Sequence, residues 1–185
     1  TEDDEIARIS REFGAEVPFM RPGELAEDHV LDWPVFIHAL AFLAEQEGYR
    51  PDIVVHLRPT TPYRKPEWIE EAVNLLIRHP DAHSVRSVSP PEKHPYRMFT
   101  IDAGGFLDPL MKHEHSEPYL LRRQDLPPVY YYNCVIDVTR PATIFELKSM
   151  TGNRIYPYRM SPEHVIDIDS PRDLMLARFL LKELI

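Results

Sequence analysis

Glycine is scarce in this chain, with six residues in 185, about half of ordinary usage. There is accordingly no G-x-G-x-x-G fingerprint and no Walker loop, the two common glycine-rich phosphate cradles. The single cysteine, Cys134, cannot close an internal disulfide, which favours a reducing compartment. Long apolar runs are missing too: the most apolar stretch, Ala39-Leu40-Ala41-Phe42-Leu43-Ala44, is about a third of the roughly 18 residues a membrane span needs. The first residues, Thr1-Glu2-Asp3-Asp4-Glu5, are the opposite of a basic signal-peptide start. A cytoplasmic protein is expected, with no membrane partner. A basic excess is also absent: 21 Lys and Arg stand against 30 Asp and Glu, a net charge of −9. That argues against a nucleic-acid partner, while a small anionic ligand needs only a local arginine cluster.

What is abundant is proline, at nineteen residues, about twice the usual share. Between the prolines, helix and strand patterns alternate. Ile6, Ile9 and Phe13 recur at helical spacing, with Gly14 as a stop. A second helix is expected from about Asp32 to Glu47, ending at Gly48, with Trp33, Phe36, Ile37, Leu40 and Leu43 on one side. The run from Asp52 to Leu57 has the composition of a strand buried on both faces. Pro66 opens a third helix reaching Arg78. Strands are expected over 83–88 and 131–138 and around Met98–Ile101, with a short helix at Ile144–Lys148. His164 to Asp169 alternates as a last strand, leading into a helix with Ser170 as N-cap, Pro171 at N1 and Asp173 at N3. The proline-rich stretch from Ser89 to Pro128 is an irregular excursion. The pattern predicts an α/β domain on a mainly parallel sheet.

Four groups of residues could carry chemistry. Asp167 and Asp169, at i and i+2 on the expected strand, share one face at its carboxyl end, where open α/β sheets bind ligands. Two such carboxylates suit Mg²⁺ together with phosphate oxygens; the plain alternative is one capping and one solvated carboxylate. Arg58-Pro59-Thr60-Thr61-Pro62 places an arginine and two hydroxyls after a buried strand, either for anion or sugar recognition or as a stiffened connection. Lys93-His94-Pro95-Tyr96-Arg97, Arg122-Arg123-Gln124 and Tyr130-Tyr131-Tyr132-Asn133 could clamp a carboxylate, although loop arginines are ordinarily solvated and the tyrosines ordinarily filler. His113-Glu114-His115 has no obvious third zinc ligand, and Cys134 is expected as a buried structural thiol. No G-x-S-x-G is present.

Taken in order, these segments resemble the cytidylyltransferases that activate nine-carbon acid sugars, the acylneuraminate (CMP-sialic acid synthetase) family with its legionaminate and pseudaminate relatives. Thr1-Glu2-Asp3-Asp4-Glu5-Ile6-Ala7 is similar to S-T-D-D-E-E-I-A, and Gly14 to Phe19 with Arg21-Pro22 and Glu24-Leu25-Ala26 to G-A-E-V-P-F-x-R-P-x-E-L-A. Arg58-Pro59-Thr60-Thr61-Pro62 stands for Q-P-T-S-P, and His94-Pro95-Tyr96-Arg97 for H-P-Y-K. Arg123-Gln124-Asp125-Leu126-Pro127 followed by Asn133 resembles R-Q-x-L-P and an N-G strand; Gly152-Asn153-Arg154-Ile155 and Asp167-Ile168-Asp169 complete the set.

The resemblance implies a three-layer, Rossmann-like nucleotide-diphospho-sugar transferase fold. It implies transfer of CMP from CTP to a nonulosonic acid sugar with Mg²⁺, and a homodimer contacted through an excursion at about residues 93–130. By position, Asp167 and Asp169 would hold the metal and act in catalysis with Arg97. Arg58, Thr60, Arg97, Arg123, Gln124 and Asn133 would meet the substrates. The chain is expected to be one domain over 1–185 that lacks the family's first β-α-β unit and its phosphate loop. Arg58 for Gln, Cys134 for Gly after Asn133, and Asp137 where a Tyr often lines the acyl pocket are departures that bear on sugar preference. A non-catalytic, sugar-binding remnant of the fold, or a transferase for another acid sugar such as Kdo, are the alternatives.

Overall fold

The computed structural model describes residues 1–184, with side chains for residues 1–180. Helix α1 (Asp4–Glu12) starts where Asp3 accepts a hydrogen bond from Ile6 N at 2.8 Å, a side-chain N-cap. Its apolar stripe is not core: Ile6 and Ile9 are exposed, Phe13 is 88% exposed, and Ala7 is the residue buried. Spacing identifies a face of a helix and says nothing of what covers it. Helix α2 (Asp32–Gln46) ends just before Gly48, whose φ is +67°. Trp33 Nε1 donates to Ile144 O at 2.7 Å, tying α2 to α4 (Pro141–Phe145), which lies a few residues before the expected 144–148.

Strand β1 (Val54–His56) is shorter than expected, and all three of its residues are half-buried. It is followed by α3 (Pro66–Arg78), β2 (Ser84–Ser89), the hairpin β3 (Phe99–Ile101) and β4 (Leu107–Pro109), β5 (Tyr131–Thr139), β6 (Ile155–Arg159) and α5 (Pro171–Leu184). Four strands form a sheet in the order β1-β5-β2-β6, and β3 pairs β4 in a separate antiparallel ribbon. The end position of β1 explains its partial burial, since an edge strand has a neighbour on one side only.

β1 runs antiparallel to β5, with Val54 opposite Thr139 and His56 opposite Asp137. Arg140 N meets His83 O, while Ser87 and Ser89 meet Asn133 further along, so β5 also runs against β2. His83 N bonds Arg154 O and Met160 N bonds Val88 O, so β2 and β6 advance together. Three strands therefore point one way and β5 is inserted against them, a mainly parallel sheet as expected. β4 and β6 each contain a proline, Pro109 and Pro157, which counts against a strand in the pattern.

The segment expected as the last strand is a correction. Pro162–His164 forms one 3₁₀ turn capped by Ser161, and residues 165–169 lie outside the sheet. Val165 is extended, with φ −101° and ψ 114°, so the alternation describes the conformation correctly. It cannot supply a ladder partner. The helix that follows starts as expected: Asp173 N bonds Ser170 Oγ, and Asp173 Oδ2 accepts from Ser170 Oγ at 2.7 Å and from Asp169 N at 3.2 Å.

Two compact units are distinguished: one of Thr1–His56, Ile69–Arg86 and Asp137–Tyr156, the other of Leu57–Trp68, Ser87–Ile136 and Pro157 onward. Leu40, Ala72, Leu76, Val85, Val138 and Ile144 form the buried core of the first. Within it Arg86 grips Asp137 by two bonds of 2.8 and 3.2 Å, with only 7% of the Asp137 side chain exposed. Removing one partner of so buried a pair costs about 3–5 kcal/mol. Leu126, Val135, Ile136, Met160 and Ile166 are buried in the second.

Gly152 lies in the first unit with φ +63°, and a β-carbon there would collide with the His83 side chain, with Nδ1 nearest and Cβ and Cγ 2.8 Å from that point. Gly152→Ala therefore combines a left-handed backbone with a clash. Chemical denaturation should show a loss of about 2 kcal/mol or more; an unchanged midpoint would contradict the assigned turn.

Candidate functional site

The site is built first on the turn after β1. Pro59 and Pro62 bar regular structure, and Thr61 N reaches Arg58 O at 3.3 Å. Arg58 and Thr61, which bracket Pro59 and Thr60, are held. Thr61 is buried, and its hydroxyl donates to Cys134 O at 2.9 Å, with Arg58 O also in reach at 3.2 Å. Arg64 donates to Val135 O (2.6 Å), to Thr61 Oγ1 (2.6 Å) and to Arg58 O. Burial holds the Arg64 guanidinium below its ordinary pKa. Arg58 itself points Nε at the Tyr132 hydroxyl, 3.1 Å away.

The partner of this turn is the start of β5, where Cys134 has a φ of +62°. That left-handed conformation inside a strand is a kink of the kind glycine adopts freely. Side chains meet the backbone groups around it. Asn133 Oδ1 accepts from Val135 N (3.2 Å), and Ser87 Oγ accepts from Ile136 N (2.8 Å). Cys134 O and Val135 O are taken by Thr61 and Arg64. The rest of the Asn133 amide is bonded to Ser87 Oγ (2.5 Å) and Ser89 Oγ (2.9 Å), and Asn133 is buried.

The carboxylates come from the segment before α5. Ile168 N donates to Thr60 O at 2.8 Å, which sets Asp167 and Asp169 beside the 58–62 turn. Their surroundings differ. Asp169 is exposed, whereas Asp167 Oδ1 is buried without a hydrogen-bond partner. Asp167 is close enough to Tyr131 to act on its phenol: burial pushes that pKa up, and the charge of Asp167 and then Cys134 push it further. A buried carboxylate oxygen with no donor is costly unless a cation meets it. Among the described residues no group of three or more His, Cys, Asp or Glu side chains could hold a metal ion, and His113 and His115 stack on each other at 5.7 Å instead. A hard divalent ion at Asp167 would therefore complete its shell with ligands such as phosphate oxygens and water.

The excursion residues form a second group. Arg97 donates to Leu121 O (2.8 Å) and Arg123 to Pro91 O (3.1 Å). Arg123, Gln124 and His94 line a cavity of about 360 Å³ floored by Pro90, Pro91 and Leu126. The structure thus brings Arg58, Thr60, Asn133 and Asp167 together around the turn, and Arg123 and Gln124 together at the excursion's cavity, whose lining does not include Arg97. Arg64 and the Ser87–Ser89 pair, which no sequence pattern singles out, bond to the turn and to Asn133, and Tyr132, expected as filler, receives Arg58. The signal for Arg64 was its place between Pro62 and Pro66, where a helix pairing for its charge is ruled out.

The class that fold and site define is an α/β domain whose proline-stiffened turn faces a carboxylate oxygen with no donor. Among solved structures the chain is similar to CMP:2-keto-3-deoxy-manno-octonic acid synthetase complexed with CTP (TM-score 0.66, 12% identity, all of this chain and 80% of that one). It is also similar to 4-diphosphocytidyl-2C-methyl-D-erythritol synthase from Anaerococcus prevotii (TM-score 0.57, 11% identity, 97% of this chain and 76% of that one). No protein-family model matches the chain. Among curated relatives, CMP-N,N'-diacetyllegionaminic acid synthase of Legionella pneumophila is 33% identical over 98% of this chain and 76% of its own length. N-acylneuraminate cytidylyltransferase of Streptococcus agalactiae is 31% identical over 94% of this chain, which spans only 40% of that relative. The chain belongs to the acylneuraminate cytidylyltransferase family, legionaminic acid synthases included.

The kink explains why the resemblance has glycine at position 134. Cys134→Gly removes the β-carbon from a left-handed residue and should raise the unfolding free energy by about 1 kcal/mol, measured by denaturant titration. A destabilised variant would show that the thiol's packing outweighs the strain.

Proposed function

We propose that this domain transfers CMP from CTP to a nonulosonic acid sugar. The anomeric hydroxyl oxygen of the sugar bonds to the α-phosphorus, the α–β phosphoanhydride bond breaks, pyrophosphate leaves, and the hydroxyl proton is lost to solvent or a base. The observation that carries this reading is the buried, unpartnered Asp167 Oδ1 beside the turn that bears Arg58. Such a reaction needs positioning and charge neutralisation more than covalent help from the protein. Asp167 and Asp169 would hold Mg²⁺, which supplies charge neutralisation at the phosphates when bound. Arg58 and Thr60 would line the sugar side, with Asn133 acting through the kink it supports. Arg97, Arg123 and Gln124 would meet the sugar carboxylate or the phosphates, Arg97 opposing the charge that develops as pyrophosphate departs.

A homodimer through the excursion is part of the proposal. Ile101, Phe106, Leu107 and Leu120 are each at least 66% exposed there, a concentration of apolar surface that a partner copy would cover. A cytoplasmic location fits a CTP-dependent reaction, and no helix among the described residues is long and apolar enough to cross a membrane.

The test is pyrophosphate release from CTP and Mg²⁺ with a panel of nine-carbon acid sugars and Kdo. Release is expected with a nine-carbon acid. Asp167→Ala should lower it by about a thousandfold or more while the circular dichroism spectrum is kept. Release with Kdo alone would move the assignment to the shorter sugar. Undiminished turnover in Asp167→Ala, or no release with any acid, would sink the reading.

A further inference from the structure

Arg64 is the one arginine of the site that faces inward. Its three acceptors are two backbone carbonyls and a hydroxyl, none of them a carboxylate. A partly buried guanidinium answered only by neutral dipoles is an expensive way to fill space, and an apolar side chain would pack at lower cost. What it provides is geometry: a planar fork with donors in fixed directions, which a lysine cannot reproduce. The three acceptors are not scattered. Arg58 O and Thr61 Oγ1 belong to the turn, and Val135 O belongs to the strand just past the Cys134 kink.

We propose that Arg64 is a positioning residue, whose guanidinium clamps the 58–61 turn onto the kinked strand β5 and so sets where Arg58 and Asp167 stand. The path to Arg58 is direct, since Arg64 holds its carbonyl while the Arg58 side chain reaches back to Tyr132 on the same strand. The path to Asp167 runs through Thr60, whose carbonyl, between the held Arg58 and Thr61, receives Ile168 N at 2.8 Å. Releasing the clamp shifts both groups at once, and a displacement of about 1 Å at reacting groups can cost about a hundredfold in rate.

The turnover part of the test rests on the cytidylyl-transfer reading; a second readout does not. In protein labelled with ¹⁵N-arginine, the Arg58 Nε–H bonded to Tyr132 should give a resonance protected from solvent exchange. In Arg64→Lys, with charge kept and melting still cooperative, that proton should exchange about tenfold faster. KM for the acid sugar should rise about tenfold while KM for CTP changes by less than about twofold. Lysine that restores both properties would show that charge alone matters and overturn the proposal, as would Arg58 exchange unaltered by the change. Should Arg64→Lys fail to fold, Thr61→Val, which removes one of the three acceptors, is read by the same exchange rate. A wild-type protein that releases no pyrophosphate would remove the assigned reaction, and the Arg58 exchange rate would still decide whether the clamp exists.

Discussion

The kink of β5 at Cys134 is the constraint on which the described site depends. A residue with φ of +62° in the middle of a nine-residue strand turns its neighbours' backbone groups out of register, and a buried N–H or C=O left without a partner costs of the order of 1–3 kcal/mol. Here the groups that follow the kink are each met by a side chain: Asn133, Ser87, Thr61 and Arg64. Two of those four side chains come from the turn after β1. The kink therefore does more than bend a strand; it gives the turn something to hold, and the turn in turn presents Arg58 and the carbonyl that anchors Ile168. Loss of any one member leaves the others with unmet polar atoms, so the group behaves as a unit.

Charge is handled in two different ways within the chain. Arg86 is answered by a full carboxylate, Asp137, in the first compact unit. That pair is neutral and serves the packing of β2 and β5. Asp137 is thereby committed and cannot play the part of the tyrosine that the resemblance places at its position. Arg64 is answered by dipoles, so its charge is not cancelled locally.

Much of the fold was legible because local chemistry marks it. Pro66 and Arg78 bound α3 as the pattern said, Gly48 follows the end of α2, and Ser170-Pro171 with Asp173 starts α5. What was not legible depends on partners distant in sequence. The stripe Ile6, Ile9, Phe13 is helical and exposed; Val165 to Asp169 lies outside the sheet and bends at Asp169; β6 is a strand despite Pro157. The site divides the same way. Asp167 and the 58–62 turn stood out from residue type and place, and the structure sets them side by side. Arg64, Ser87 and Tyr132 matter because of what they touch across 46 to 74 positions of chain, and no window on the sequence contains those contacts.

Composition closes the account. Few glycines leave few residues at ease with positive φ, so the left-handed position in β5 falls on a cysteine, and the strain must be held by surrounding bonds. Many prolines act in the opposite sense. Pro59, Pro62 and Pro66 restrict the turn and the entry to α3 before folding as well as after it, which lowers the entropy lost in ordering them. A strained strand held against a pre-stiffened turn is a rigid arrangement. Rigidity is what the proposed transfer requires, since it would need phosphates and a sugar hydroxyl fixed in line. The same argument predicts where tolerance ends: a substitution that loosens the turn reaches Arg58 and Asp167 together, because one turn carries both Arg58 and the carbonyl that anchors Ile168.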